Sequence, residues 1–116
     1  MAKIALFAFN GEPMCFVHVL LNAFDFQARG DEVKVVIEGS ATKLVKSYAD
    51  DPELPFAALY HKAHAAGLLA EVCQACAAKM GSLEAAKAQG IPLGNDMKGH
   101  PSLARFLAEG YQVFTF

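Results

Sequence analysis

The 116-residue chain has no tryptophan, only three cysteines and no hydrophobic run long enough to cross a membrane. Its formal net charge is −2, and residues of both signs are scattered along the sequence. No basic stripe of the kind that binds nucleic acid is therefore present. These features predict that the protein binds neither a membrane nor a nucleic acid.

The amino terminus also lacks the features of a secretory signal. Residues 1–7 carry one basic side chain and pass directly into a strand-like apolar run, with no cleavage site. The odd number of cysteines, at Cys15, Cys73 and Cys76, argues against a framework of disulfides. Both observations predict a reducing cytoplasm, where thiols are free or take part in chemistry.

The common phosphate-binding motifs are missing as well. The chain contains neither G-x-x-x-x-G-K-[ST] nor G-x-G-x-x-G. The loop after the first predicted strand has a single glycine, and its Glu12 would repel a phosphate. It also lacks the hydroxyl-rich composition that a flavin phosphate needs. The sequence therefore predicts no cofactor.

What the sequence does contain is enough apolar material for one core. Hydrophobic residues make up 54% of the chain and charged residues 19%, and the length is that of one domain. Apolar runs predict strands at residues 3–9, 33–37, 68–72, 91–93 and 111–116. Helical patterns occupy most of the sequence between them. This alternation predicts a single α/β domain over residues 1–116, with a mostly parallel sheet and helices on both faces.

Two cysteines stand where the third strand is predicted to meet the next helix. The apolar run ends at Cys73, and Cys76 follows one helical turn later. Backbone N–H groups at a helix N-terminus favour a negative charge, so Cys73 is expected to ionise readily. The thiolate is the form that attacks, carries sulfur or binds a metal. The alternative is simple packing, which is favoured for Cys76 and for Cys15 on its apolar helix face.

The predicted topology brings other residues to the same edge of the sheet. In open parallel sheets, ligands bind beyond the carboxyl ends of the strands, where the strand order reverses. If the order begins 2-1-3, as in a flavodoxin-like sheet, the loop with Asn10 and Cys15 borders that point beside Cys73. A later glycine-flanked loop brings His100 there too. Cys73 and Cys76 are the predicted reactive residues, with Asn10, Cys15 and His100 in support.

Two other sites could use the same cysteine pair. His61 and His64 precede Cys73 and Cys76 with the paired spacings of zinc ligands. The third strand separates the two pairs by about 15–20 Å, so one zinc ion cannot join them within a subunit, and a zinc site shared between subunits is disfavoured. No metal site is predicted. A thioredoxin-like dithiol is also disfavoured, because the C-x-x-C motif follows three strands and no tryptophan is present.

Three blocks of the sequence resemble the DsrE/DsrF-like family of small sulfur-relay proteins. They are the strand IALF at residues 4–7, the block VCQACAAKMG at 72–81 and the ending GYQVFTF at 110–116. Gly90 and the helix at 103–107 fall in register between them. The resemblance covers essentially the whole chain. It implies a single flavodoxin-like α/β domain, commonly assembled as a homotrimer or hexamer.

The resemblance also implies a function for Cys73. Family members with a cysteine after the third long strand use it to accept and pass on persulfide sulfur, and Cys73 occupies that position. This implies a cytoplasmic sulfurtransferase-type carrier with a donor and an acceptor protein as partners. Cys76 is not required by the pattern. A Cys73/Cys76 dithiol redox protein and a non-catalytic oligomeric binding or regulatory module therefore stay open as alternatives.

Overall fold

Five parallel strands form one sheet in the computed structural model, which describes residues 1–116. The strands are β1 (Lys3–Ala8), β2 (Glu32–Ile37), β3 (Leu69–Cys73), β4 (Leu93–Gly94) and β5 (Gln112–Thr115). The helices are α1 (Pro13–Ala28), α2 (Lys43–Asp50), α3 (Ala57–Ala65), α4 (Gln74–Met80), α5 (Leu83–Ala88) and α6 (Leu103–Ala108), with a 3-10 turn at Gly39–Thr42. None of the helices is both long and apolar enough to cross a membrane.

The predicted α/β domain with a parallel sheet is confirmed, but the predicted strand order is wrong. The order is 4-3-2-1-5, so β2 lies between β1 and β3. Ile37 of β2 pairs with Ala8 on one side and with Val72 on the other. The other edge of β1 pairs with β5, which leaves β3 only the outer edge of β2. An order beginning 2-1-3 would instead have placed β1 in the middle.

The two faces of the sheet are covered unequally. Side chains alternate along each strand, so Leu6 lies in a main core of 23 buried residues while Phe7 lies in a second cluster of five. Residues from α1 to α5 fill the main core. On the other face α6 contributes Phe106, whose ring meets that of Phe7 edge to face at 5.2 Å. Helices therefore lie on both faces, as predicted, but five pack on one face and one on the other.

The pairing of β2 with β3 positions two residues at the carboxyl edge of the sheet. Because Ile37 lies opposite Val72, the residues that follow them, Glu38 and Cys73, come side by side. A helical segment follows each of the two strands. Residues Gly39–Thr42 form the 3-10 turn after β2, and α4 starts directly after Cys73 and packs against that turn.

Candidate functional site

Cys73 is both the last residue of β3 and the N-terminal cap of α4. Its sulfur accepts a hydrogen bond from the backbone N–H of Cys76 at 3.4 Å. This bond satisfies one of the free N–H groups at the start of the helix. The predicted strand-to-helix junction thus places both cysteines within one helical turn.

His100 approaches both thiols from the loop between β4 and α6. Its Nδ1 atom lies 3.1 Å from Sγ of Cys73 and 3.8 Å from Sγ of Cys76. The Gly99 carbonyl lies 3.6 Å from the Cys73 sulfur. The structure therefore brings together three of the five residues predicted from the sequence, and their roles stay predictions.

Backbone contacts fix the loop that carries His100. Met97 and His100 exchange N–H···O=C hydrogen bonds of 2.8 and 2.9 Å, and the N–H of Ala75 donates to the Gly99 carbonyl at 2.9 Å. Lys98 and Gly99 have φ angles of +48° and +91°. A Cβ atom on Gly99 would lie 3.0 Å from the Cβ of Ala75, so the loop passes α4 at a distance that favours glycine.

A charged network also anchors this loop. Arg105 of α6 pairs with Glu71 of β3 at 2.7 Å and with Asp96 of the loop at 2.8 Å. Asp96 accepts a further hydrogen bond from the N–H of Ser102 at 3.0 Å. Hydrogen bonding from Arg105 lowers the pKa of Asp96 below its ordinary value. Because Asp96 and His100 belong to one loop, these contacts restrict where the imidazole can lie.

Glu38 is a fourth member of the site, and it is not among the residues predicted from the sequence. Its side chain is only 6% exposed. It belongs to a group of four side chains whose ligand atoms all lie within 4.8 Å of one another: Glu38, Cys73, Cys76 and His100. In the sequence, Glu38 is recognisable only as a charged residue directly after an apolar strand. It is absent from the predicted site because the predicted strand order put β1, and not β2, beside β3.

Burial controls the ionisation of this site. It raises the pKa of Cys73, which is fully buried, to about 12. Burial, followed by the nearby charge of Glu71, raises the pKa of Glu38 to about 7. The expectation of a readily ionised Cys73 is therefore wrong for this conformation, because loss of solvent outweighs the hydrogen bond from the helix N-terminus.

Asn10 and Cys15, the other two predicted residues, are not part of the site. Both line a separate cavity of about 420 Å³, together with His18, Asn22 and Phe116. The side-chain oxygen of Asn10 accepts the N–H of Glu12 at 2.9 Å, in the turn before α1. Cys15 is exposed, so its predicted packing in the core is also wrong. The cause is β2, which separates the loop after β1 from the end of β3.

His61 and His64, weighed as zinc ligands in the sequence, both lie on α3. Nε2 of His61 is 2.8 Å from the carbonyl oxygen of Tyr48. Neither histidine belongs to the group formed by Cys73, Cys76 and their neighbours. That group itself offers two thiols, an imidazole and a carboxylate, which are the side chains that bind zinc in proteins.

Comparison with known proteins assigns the chain to a family. The DsrE/DsrF-like family matches residues 3–116. The chain is 33% identical to an uncharacterized protein of Methanocaldococcus jannaschii over 97 residues, which are 84% of this chain and 76% of that protein. It is 42% identical over 48 residues to an uncharacterized protein of Archaeoglobus fulgidus, covering 41% of this chain and 79% of that one. A conserved protein of unknown function from Bacteroides thetaiotaomicron has a similar fold, with a TM-score of 0.68 at 17% identity, over 98% of this chain and 94% of that one. Because the family match spans essentially the whole sequence, the chain belongs to the DsrE/DsrF-like family.

Proposed function

We propose that this protein relays sulfur as a persulfide on Cys73, with His100 as the proton acceptor. Membership in the DsrE/DsrF-like family supports a sulfur-relay type of role. The observation that carries the proposal is the distance of 3.1 Å between Nδ1 of His100 and Sγ of Cys73. A thiol that is protonated when buried needs a base at the moment it attacks, and a neutral imidazole is suited to that task.

The proposed transfer is an exchange of sulfur with no net oxidation. The Cys73 sulfur attacks the outer sulfur of a donor persulfide while its proton passes to His100. The new S–S bond on Cys73 forms as the donor's S–S bond breaks, and the donor sulfur leaves and receives the proton. Delivery reverses these steps: an acceptor thiol passes its proton to His100 as its sulfur attacks the outer sulfur, and the Cys73 sulfur leaves and receives that proton.

Access to Cys73 requires a movement. The side chain is 0% exposed, so a donor cannot reach its sulfur in this conformation. The loop that carries Gly99 and His100 contacts the start of α4 through the hydrogen bond from the N–H of Ala75. We propose that donor binding shifts this loop outward while His100 stays within reach of the Cys73 thiol, because residues 95–100 carry no buried side chain.

Incubation with a persulfide donor tests the proposal. Intact mass measurement should show that the wild-type chain gains one sulfur atom and that the C73S variant gains none. The C15S variant is the matched control, because it removes an exposed cysteine outside the site. It should gain sulfur as the wild type does. Equal uptake by C73S, or no uptake by the wild type, would show that Cys73 is not a sulfur carrier.

A second candidate function is dithiol redox chemistry, which the proximity of Cys73 and Cys76 favours. Their sulfur atoms lie within 4.8 Å of each other. If Cys76 attacks the inner sulfur of a Cys73 persulfide, a disulfide forms and sulfide leaves. Under mild oxidation this function predicts a Cys73–Cys76 disulfide, visible as the loss of two hydrogens in the peptide mass. The third interpretation, a non-catalytic module, predicts neither the disulfide nor sulfur uptake.

The partners of the proposed relay include other copies of this chain. Phe114 and Phe116 at the carboxyl terminus are 44% and 38% exposed, and Leu107 of α6 is 60% exposed. These exposed apolar side chains support a homo-oligomer, such as the trimer or hexamer that is common in the family. A sulfur donor protein, a sulfur acceptor protein and a cytoplasmic location complete the proposal.

A further inference from the structure

We infer that Glu38, Cys73, Cys76 and His100 form a binding site for one divalent cation of the zinc type. Their ligand atoms all lie within 4.8 Å of one another. The inference does not depend on the proposed function, because it requires only that the four side chains turn their donor atoms toward one point.

Two of the distances between ligand atoms are close to those of a tetrahedral site. Sulfur and nitrogen ligands bind zinc at about 2.3 and 2.0 Å, so at a tetrahedral angle they stand about 3.5 Å apart. The distances from Nδ1 of His100 to the sulfur atoms of Cys73 and Cys76 are 3.1 and 3.8 Å, on either side of that value. Small rotations of the two cysteine side chains would equalise them.

The charge and burial of Glu38 favour a cation here. Its side chain is 94% buried, given an exposed fraction of 6%. It takes part in none of the chain's five salt bridges. A buried carboxylate without a positive partner is costly, and its cost falls if a cation binds. The same cation would displace the protons of Cys73 and Cys76 and bind them as thiolates.

The four ligands are also held by three separate parts of the fold. Glu38 follows β2, where its backbone N–H donates to the carbonyl of Ala8 at 2.8 Å. Cys73 caps α4, Cys76 lies in its first turn, and His100 is fixed by its exchange of hydrogen bonds with Met97. A metal site needs such preorganised ligands to reach high affinity.

The ligand types decide the class of metal. Two sulfur atoms, one imidazole nitrogen and one carboxylate oxygen suit Zn²⁺ or its tetrahedral substitute Co²⁺. Mg²⁺ and Ca²⁺ prefer sites made only of oxygen atoms. We therefore expect Zn²⁺ to displace Co²⁺, and Mg²⁺ to leave it bound.

Titration of the reduced, chelator-treated chain with Co²⁺ under anaerobic conditions tests this site. The wild type should develop the visible bands of tetrahedral Co²⁺ and sulfur-to-cobalt charge-transfer absorption, both saturating at one ion per chain. C15S should behave identically. C73S and C76S should each lose much of the charge-transfer absorption, and E38Q should bind Co²⁺ about tenfold or more weakly with that absorption kept. Circular dichroism confirms that each variant is folded.

Three results would overturn the inference. They are the absence of charge-transfer absorption in the wild type, the same absorption in folded C73S or C76S, and unchanged Co²⁺ affinity in E38Q. Sulfur uptake is measured by mass on metal-free protein. Failure of the metal site would therefore leave the persulfide result untouched, and failure of sulfur uptake would leave the Co²⁺ spectrum untouched.

Discussion

At the scale of single residues, the site depends on how one imidazole sits between two thiols. His100 has its Nδ1 atom within 3.8 Å of both Cys73 and Cys76, and Glu38 is buried beside them. Because burial raises the pKa of Cys73 to about 12, the helix N-terminus alone does not produce a thiolate at neutral pH. The proposed relay therefore depends on His100 as a proton acceptor as much as on the thiol of Cys73.

The first prediction concerns that proton acceptor. The H100N variant should fold normally and take up sulfur from a persulfide donor about a hundredfold more slowly, since positioned bases contribute about 10²–10⁴-fold. The rate is measured by intact mass at timed intervals. H18N is the matched control, because His18 is an exposed histidine of α1 outside the site. A rate in H100N equal to that of H18N would exclude His100 as the base.

At the scale of elements, the loop between β4 and α6 brings His100 to the two cysteines. Two features fix the loop against the rest of the fold: the close passage of Gly99 over Ala75 and the pairing of Asp96 with Arg105. Each feature can be altered by a substitution that leaves the cysteines and His100 unchanged.

The second prediction compares two glycines that share a left-handed backbone. Gly99 and Gly90 have φ angles of +91° and +72°, but only a Cβ on Gly99 would meet another residue, Ala75 at 3.0 Å. G99A and G90A should both lose about 1 kcal/mol of stability from the backbone strain. Only G99A should also slow sulfur uptake, because its loop must shift. Equal uptake rates in the two folded variants would show that the loop position does not matter.

The third prediction tests the charged network of the loop. R105Q removes the partner of both Glu71 and Asp96, so we expect a midpoint of thermal unfolding a few degrees below that of the wild type. R29Q is the control, because the Arg29–Asp25 pair is widely exposed and should contribute almost nothing. A midpoint in R105Q equal to that in R29Q would contradict an anchoring role.

The stability that this charged network contributes should decrease as the pH falls. The pKa of Asp96 is lowered in the folded chain, mainly by hydrogen bonding from Arg105. Its contribution to stability is therefore complete above the ordinary pKa of an aspartate and is lost as the pH falls through the lowered value. The difference in midpoint between the wild type and R105Q should narrow in acid. A difference that widens in acid would contradict this assignment.

At the scale of the whole molecule, one sheet is covered by five helices on one face and by α6 on the other. The fourth prediction follows from that imbalance. Phe106 is fully buried between Phe7 and Tyr111, with ring centroids at 5.2 and 5.6 Å. F106A should lower the free energy of unfolding by about 3–5 kcal/mol, measured with denaturant. L107A is the control, because Leu107 is 60% exposed. It should change the free energy of unfolding of the single chain by less than about 0.5 kcal/mol.

The sequence predicts where the strands and helices lie along the chain far better than it predicts which strands lie next to one another in the sheet. Apolar runs locate the strands because burial requires them, and the position of Cys73 at a strand-to-helix junction follows from the same pattern. Strand order depends on which edge each strand pairs with, and β1 and β2 are both apolar enough to be central. That single error explains why Asn10 and Cys15 were predicted in the site and Glu38 was not. The raised pKa of Cys73 could not be predicted, because it depends on burial by residues distant in sequence.

The location of the added sulfur is the most direct test of the proposed sulfur relay. The C15S chain, treated with a persulfide donor and then alkylated, yields peptides in which the extra sulfur can be assigned to Cys73 or to Cys76. Cys76 is the more exposed thiol, so simple accessibility would favour it. We predict the sulfur on Cys73, with uptake reduced by H100N. Sulfur found only on Cys76, or uptake on Cys73 that does not depend on His100, would contradict it.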